Sequence, residues 1–514
     1  MSSLKLKLPG AIYFISNVYS LFTGLAFTVI VTRSLTVSDF GFWTMISQYL
    51  AYTSIPFSNI ASFWIVRYVA RGFKQAPKSG LIFGLALSSI GLLLYLLLAL
   101  LANTSFSQPL SILLLAAPQA ATYILLGALS SAITGTSPIH IGISSVIFET
   151  SKVLLAYSSV RILRMGLIGA IISVVMAQVI QVIYLLIILQ KHIRHENADH
   201  SLLKRWFKLS WLPAYGLFSG LIGGLDVLIA RIISSTDELI GVKNVAGIAG
   251  SFPKYASSLS LSLYPRSLRT INSKDWERDV EELLRFISLI SIPIAFGNIA
   301  LMDLLLEIFG RSYVNAYLAG VVITIISLIG LMNSIIDPIL LGSETIDLKD
   351  EVIFKEYLRS RVFKLITLNH ISAITYLIAV IVALSLYTGD IYQATLYWSL
   401  ASFIGIPYMT YKVKILKEIG VHLKFPTRNI LRYTLASGLM FLLIYVLKGV
   451  IFQNVARNII GLLTGTLTLT VIGGCLYLLI ALLIDGYARI ILRQVIISLR
   501  KIFFLIYNFC LNFF

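Results

Sequence analysis

Apolar residues run for about twenty positions or more at a time, roughly fourteen times over, along the length of this chain. An α-helix needs about 20 such residues to cross a hydrocarbon core ~30 Å thick. In that solvent every backbone N–H and C=O has to be satisfied within the helix itself. By this criterion the spans cover residues 10–32, 42–66, 79–102, 110–133, 139–160, 166–189, 209–231, 243–264, 286–307, 313–336, 363–386, 391–411, 431–450 and 459–484. The chain is therefore expected to be an all-α polytopic membrane protein with about 14 transmembrane helices. Composition closes the soluble alternatives. Of 514 residues, 58% are hydrophobic and 12% charged, whereas a soluble chain carries about 25% charge and spreads it over its surface. The first span has no small-residue cleavage site and is too long for a signal peptide's apolar core, so it is expected to be retained.

Charge then orients the spans. The 41 Lys and Arg outnumber 23 Asp and Glu, for a net charge of +18. With the N-terminus in the cytoplasm, roughly three quarters of the basic residues fall on cytoplasmic ends and links, chiefly 67–78, 190–208, 265–285, 337–364, 412–432 and beyond 484. The excess is thus a topology signal and not a nucleic-acid footprint; both termini are expected on the cytoplasmic side of the plasma membrane. The outer links are short, and the sequon at Asn103 falls in one of them. Segments 273–286 and 346–361 read as surface helices, the first capped by Ser273. The tail 485–514 places Arg489, Arg493 and Arg500 at helical spacing before an apolar end, the pattern of an amphipathic helix on the anionic inner leaflet.

A weak internal repeat divides the spans. VTRSLTVSDF closes span 1 and IARIISSTDEL closes span 7, with Arg33 and Asp39 spaced as Arg231 and Asp237 are. The expected organisation is an N-terminal lobe over 1–190, a cytoplasmic linker over 191–208, a C-terminal lobe over 209–412, two additional helices within 413–484, and the tail over 485–514.

Few polar groups enter the spans, and each ionised one costs at least about 2.5–3.5 kcal/mol at mid-depth. Glu149, Lys152, Asp226 and Lys254 lie well inside; Asp337 lies near an inner end, before Pro338. Glu149 and Lys152 are one turn apart and suit a self-neutralising pair or an ion-coupling site. Asp226 belongs to a small-polar stripe with Tyr215, Ser219 and Gly223. Similar stripes run through Asn17, Ser20, Gly24 and Thr28; through Gln48, Tyr52, Asn59 and Ser62; and through Gly247, Ser251, Lys254, Ser258 and Ser262. Such stripes either let helices approach and hydrogen-bond or line an aqueous cavity. Lys254 needs a carboxylate, an anionic ligand or water, and Asp226 is its candidate partner. Gln178 and Gln181 read as interhelical hydrogen bonders.

Catalytic signatures are missing from the sequence. It contains no Gly-Lys dipeptide for a phosphate-binding P-loop and no H-E-x-x-H; its six His are scattered, and Cys475 and Cys510 form neither a disulfide framework nor a metal set. No enzyme activity and no cofactor are expected.

The order of four local segments resembles a known family: TRSLTVSDFGFW (32–43), SFWIVRYVARG (62–72), GLIGGLDVLIARII (220–233) and KYASSLSLSLYPRSLR (254–269). In a six-plus-six-plus-two arrangement they resemble the polysaccharide and lipid-linked oligosaccharide flippases of the multidrug/oligosaccharidyl-lipid/polysaccharide (MOP) exporter superfamily. That resemblance implies two six-helix lobes around a central V-shaped cavity lined by helices 1, 2, 7 and 8, plus two C-terminal helices. It also implies movement of a polyprenyl(dolichyl)-pyrophosphate-linked oligosaccharide to the outer leaflet by alternating access, with cationic residues facing the pyrophosphate. Carried onto this chain, Lys254 and Arg67 are the cationic candidates, and Arg33 is a gate-side contact with Arg231 as its repeat counterpart. Asn17, Asn59, Asp226, Gln48 and Tyr255 complete the candidate lining. The chain departs from the pattern in having few cations at mid-depth. Expected partners are the lipid-linked oligosaccharide, membrane lipids and glycan-assembly enzymes, with the protein acting as a monomer and binding no nucleic acid. Two other readings compete. One is a cation-coupled multidrug-type exporter using Asp226 and Glu149; the other is a non-transporting scaffold of a surface-polymer assembly.

Overall fold

The computed structural model describes residues 2–194, 196–262, 274–342, 360–418, 423–454 and 458–494. Among them helix is nearly the only regular structure and no strand occurs. The chain gathers into two compact units, one of Met1–Asn244 with Asn369–Thr395, the other of Val245–Leu368 with Leu396–Phe514.

In the first unit α1 (Ser2–Ser34), α2 (Val37–Ala70), α3 (Ala76–Phe106), α4 (Leu110–Thr136), α5 (Ile139–Ala156, prolonged by a π turn, Tyr157–Ile162) and α6 (Gly166–Ile193) come first. α4 packs on α2, α3 and α6, and α1 lies along α5. Small residues allow the close approaches: a Cβ on Gly84 would come 2.4 Å from that of Ala128, and one on Gly127 2.1 Å from the Ser58 hydroxyl. Gln178 accepts from Thr122 (2.6 Å) and Gln181 donates to Ser144 (3.4 Å), joining helices as their sequence suggested.

The linker 191–208 is more ordered than a solvated connector. It contains α7 (His200–Lys208), capped by Asp199, whose carboxylate accepts from the N–H groups of Ser201 and Leu202. The Ser201 hydroxyl and N–H hold the Asp199 carboxyl below its usual range. Trp206 is fully buried among residues of α2 and α3, its ring 5.4 Å from Tyr68 and 5.5 Å from Phe83.

The seventh span is interrupted for one residue, Leu225, between α8 (Trp211–Gly224) and α9 (Asp226–Ser234), after two adjacent glycines that are each about 1 kcal/mol poorer than Ala in a helix. The Leu225 backbone stays right-handed (φ −62°, ψ −11°) and its N–H bonds the Ile222 carbonyl, so the two pieces still form one membrane-length run, Pro213–Ser234. The eighth span breaks too. α10 (Glu238–Gly250) gives way to a 3₁₀ helix, Phe252–Ser262, around Pro253, which has no N–H to donate.

The second unit holds that 3₁₀ segment, α11 (Lys274–Ala300), α12 (Met302–Phe309), a 3₁₀ turn (Arg311–Ala316), α13 (Tyr317–Gly342), α16 (Gly405–Glu418), α17 (Thr427–Asn454) and α18 (Ile459–Ile484). Between α13 and α16 lie α14 (Arg361–Ser385) and α15 (Ile391–Ala401), which pass in part through the first unit. Spans 9 and 12 are therefore also divided, at Leu301 and at the 3₁₀ turn Ser402–Ile404. Residues 274–286 are not a separate surface helix but the opening turns of α11, and the expected cap Ser273 lies outside the described residues. Segment 346–361 up to residue 359, and the tail from 495 onward, lie outside the described residues.

Internal charges in this unit are matched. Lys412 Nζ lies 2.8 Å from Asp337, and Lys448 Nζ reaches both Asp303 (2.9 Å) and the Ala300 carbonyl at the Leu301 break (3.1 Å). Arg285 and Tyr433 both donate to Asp485, just past α18. Burial pushes the Asp485 carboxyl up, but those hydrogen bonds outweigh it and hold the group below its ordinary range. The buried Asn298 amide donates to Ala249 and Thr324, at 2.8 Å each.

Among the described residues ten helices are long and apolar enough to cross a membrane, against the roughly fourteen spans expected. α2, at 34 residues, has the length (~50 Å at 1.5 Å per residue) but carries the polar stripe. The remainder of the shortfall includes α10 and α15, at 13 and 11 residues, which the breaks leave short.

Candidate functional site

Asp226 opens α9 immediately after the break in the seventh span, and polar groups from three other helices converge there. Tyr376 of α14 donates to its Oδ2 at 2.6 Å. Tyr52 of α2 donates to the Gly224 carbonyl at 2.5 Å, serving the backbone at the break. Gln48 lies one turn earlier on α2, so close that a Cβ on Gly224 would come 2.6 Å from its Nε2. Lys243 of α10 is within electrostatic reach of the carboxylate. The rings of Tyr215 on α8 and His370 on α14 stack 4.9 Å apart. With a tyrosine donor and an ammonium nearby, this junction can keep a negative charge inside a span and exchange a proton or a cation there.

Of the expected lining residues, the structure brings Gln48 and Asp226 together at this junction. Glu149 and Lys152 form a separate seam between α5 and α1. Lys152 Nζ lies 2.9 Å from Oε1 and 2.8 Å from Oε2, and Thr23 donates to Oε2 at 2.8 Å. The ammonium also faces the rings of Phe148 (4.9 Å) and Phe27 (5.3 Å). Tyr19–Thr150 and Ser20–Ser145 hydrogen bonds extend the seam. Asn17 and Arg33 on α1, and Asn59 and Arg67 on α2, are exposed, with the Arg67 guanidinium 3.7 Å over the Phe63 ring.

Lys254 and Tyr255 are exposed on the 3₁₀ segment of the second unit. This corrects the expected α-helical stripe. A 3₁₀ helix has three residues per turn, so the four-residue spacing of that stripe does not describe one face of this segment. The hydroxyl that meets the Asp226 carboxylate comes from Tyr376, on a span from which no site residue was expected. An isolated tyrosine in an apolar run reads as core, and only the cost of Asp226 signals that some donor has to meet it.

The repeated Arg–Asp spacing resolves into two different contacts. Arg231 Nε lies 2.7 Å from Asp237, whereas Asp39 accepts from the Thr36 hydroxyl (2.7 Å) at the start of α2. Burial pushes the Asp237 carboxyl up and Arg231 draws it partly back. Gly41 of α2 abuts this turn so tightly that a Cβ there would come 1.7 Å from the Asp237 carbonyl oxygen. No group of three or more His, Cys, Asp or Glu that could hold a metal is found among the described residues.

No protein-family model matches the sequence, and no curated protein matches it. Solved structures do. A multidrug resistance MATE family transporter of the MOP superfamily, in an inward-facing conformation, superposes with a TM-score of 0.55 at 11% identity, over 78% of this chain and 96% of its own. The lipid II flippase MurJ, in an inward closed conformation, gives 0.55 at 14% identity, over 95% of this chain and 100% of its own. A point mutant of the Vibrio cholerae MATE transporter VcmN gives 0.52 at 12% identity over 80% and 97%. The chain thus has the fold shared by these MATE transporters and MurJ.

Proposed function

We propose that this protein is a MOP-type transporter that moves a polyprenyl-pyrophosphate-linked oligosaccharide from the cytoplasmic to the outer leaflet by alternating access. The observation that carries this reading is the extent of the shared fold. Likeness to a lipid flippase runs through 95% of the chain, whereas likeness to the MATE transporter covers 78%. The difference is comparable to the stretch 413–484 that follows the twelfth span, the part a drug exporter of the same superfamily would not need. In this proposal the lobes 1–190 and 209–412 rock against each other. The exposed cations Lys254 and Arg67 contact the pyrophosphate, with Asn17, Asn59 and Tyr255 along the sugar path and Arg33 on the gate side. The isoprenoid tail stays in lipid throughout.

The test is reconstitution into vesicles carrying a polyprenyl-pyrophosphate-linked oligosaccharide on one leaflet, with the sugar exposed on the other leaflet read by an added glycosidase. Transport is expected for the parent protein and a loss of at least about tenfold for Lys254→Ala, a charge-assisted phosphate contact being worth upwards of ~1.5 kcal/mol. A parent protein that leaves the sugar on its original leaflet overturns the reading.

Asp226 on its Tyr376 donor favours a second reading, cation-coupled export of small amphipathic molecules. It predicts extrusion of a cationic dye from the same vesicles under an imposed proton or sodium gradient, with no movement of the lipid-linked sugar.

A further inference from the structure

We propose that α7, together with the α2–α3 link beside it, is a docking surface for anionic phospholipid headgroups, built into the first unit. α7 buries one face: Leu202 and Trp206, a turn apart, are inside the unit, with Leu203 and Leu209 packed partly against the same core. The opposite face presents Lys204, Arg205 and Lys208 to the outside. Between the two faces lies Phe207, 44% exposed, its ring 4.8 Å from Phe83. The neighbouring link repeats the combination. Phe73 is 49% exposed with its ring 5.2 Å from Tyr68, the residue that also touches Trp206, and the exposed cations Arg71 and Lys74 flank it.

Cations alternating with half-exposed aromatic rings, at the mouths of two apolar spans, suit the phosphate level of a bilayer. There the rings enter the headgroup boundary and the ammonium and guanidinium groups meet lipid phosphate. The acidic groups nearby do not cancel the patch: the Asp199 carboxylate is committed to the N-terminus of α7, where it bonds Ser201, which leaves Glu196 against the five cations Arg71, Lys74, Lys204, Arg205 and Lys208. The helix is also held in place rather than tethered. Its buried Trp206, the Lys78 ammonium on the Glu196 carbonyl (2.7 Å) and the Asp199 N–H on Ser79 (2.9 Å) fix it to α3. Lipid bound here is therefore in contact with the packed core of the unit. This proposal stands apart from the transport reading, since it concerns what the surface binds and not what the protein moves.

The experiment uses the full chain in a neutral detergent and titrates short-chain phosphatidylglycerol against phosphatidylcholine, counting bound lipids by native mass spectrometry. The parent protein is expected to prefer phosphatidylglycerol. Lys204→Gln/Arg205→Gln/Lys208→Gln is expected to weaken that binding on the order of 100-fold, from about fivefold per charge near an anionic surface. Arg161→Gln/Arg164→Gln removes two exposed cations of another surface segment and should leave the preference intact. An unchanged unfolding midpoint in detergent alone shows that the triple variant is folded. The proposal is overturned by a parent without preference, by a triple variant that keeps it, or by equal loss in the two variants. It is also overturned, in favour of an acidic protein partner, if polyglutamate binds the patch and phosphatidylglycerol does not.

Discussion

Spans 1 and 2 carry the same kind of small-polar stripe as spans 7 and 8, yet the first two run unbroken for 33 and 34 residues while the latter two are interrupted. In α1 hydroxyls turn back on their own backbone: Thr28 donates to Gly24 and Thr32 to Thr28, at 2.9 and 2.8 Å. Such back-bonding costs a helix little and bends it rather than breaking it, and α1 stays continuous. In span 7 the glycine pair precedes the one-residue interruption at Leu225, Tyr52 donates to the Gly224 carbonyl, and Asp226 follows directly. The difference decides how a charge is carried in each region. A carboxylate within a continuous helix, like Glu149, has to be neutralised by another side chain. Asp226, beside the interruption, draws on a tyrosine hydroxyl from a distant span.

Glu149→Ala offers the hardest trial of that distinction. It leaves the partly buried Lys152 beside two aromatic rings without its carboxylate, and losing one member of a buried pair costs up to about 3–5 kcal/mol. Thermal unfolding in detergent should register a large drop, and adding Lys152→Met should restore most of it, because the uncompensated charge is then gone. If the single variant is as stable as the parent, the pair is not what keeps α5 on α1.

Next in size is the joint where the continuous α2 meets the turn after the broken span. Gly41→Ala forces a Cβ onto the Asp237 carbonyl, backbone against backbone, and is expected to cost ~3 kcal/mol, the upper end of overpacking. Gly24→Ala in α1 has no atom within 4 Å and is the matched control. Equal melting of the two variants would show that the turn yields freely.

The architecture was legible in part for simple reasons. Spans announce themselves because apolar runs of the right length have one stable form in lipid, and the topology-bearing charges lie at their ends. Breaks were harder to see. Gly223-Gly224 and Pro253 stand in plain view, but a hydropathy window averages over them, so spans 7 and 8 read as whole helices. Long-range partners were least accessible. Tyr376 lies 150 positions from Asp226, Lys412 lies 75 from Asp337 and Lys448 lies 145 from Asp303. Each carboxylate advertised a need, but only the packing of the helices identified which donor meets it.

Tyr376→Phe probes the broken span without altering its backbone. Removing a hydroxyl from a carboxylate is expected to cost about 1.5–3 kcal/mol if the site is dry, and less where water replaces it. The same variant should alter any gradient dependence of transport if Asp226 exchanges a cation or proton. Unchanged stability together with unchanged gradient dependence would leave the junction no role beyond packing.

The smallest effect is the most direct test of what the break is for. Gly223→Ala meets no atom within 4 Å, so nothing opposes it sterically, and replacing a helical glycine should stabilise the protein by up to ~1 kcal/mol. Gly24→Ala, at an equally open position in α1, should contribute a similar gain and leave transport alone. If the discontinuity at Leu225 serves motion, the Gly223 variant should be more stable and slower in the vesicle assay, while the Gly24 variant is only more stable. Parallel behaviour of the two would mean that the interruption merely accommodates Asp226, and that spans 1 and 7 differ in construction without differing in task.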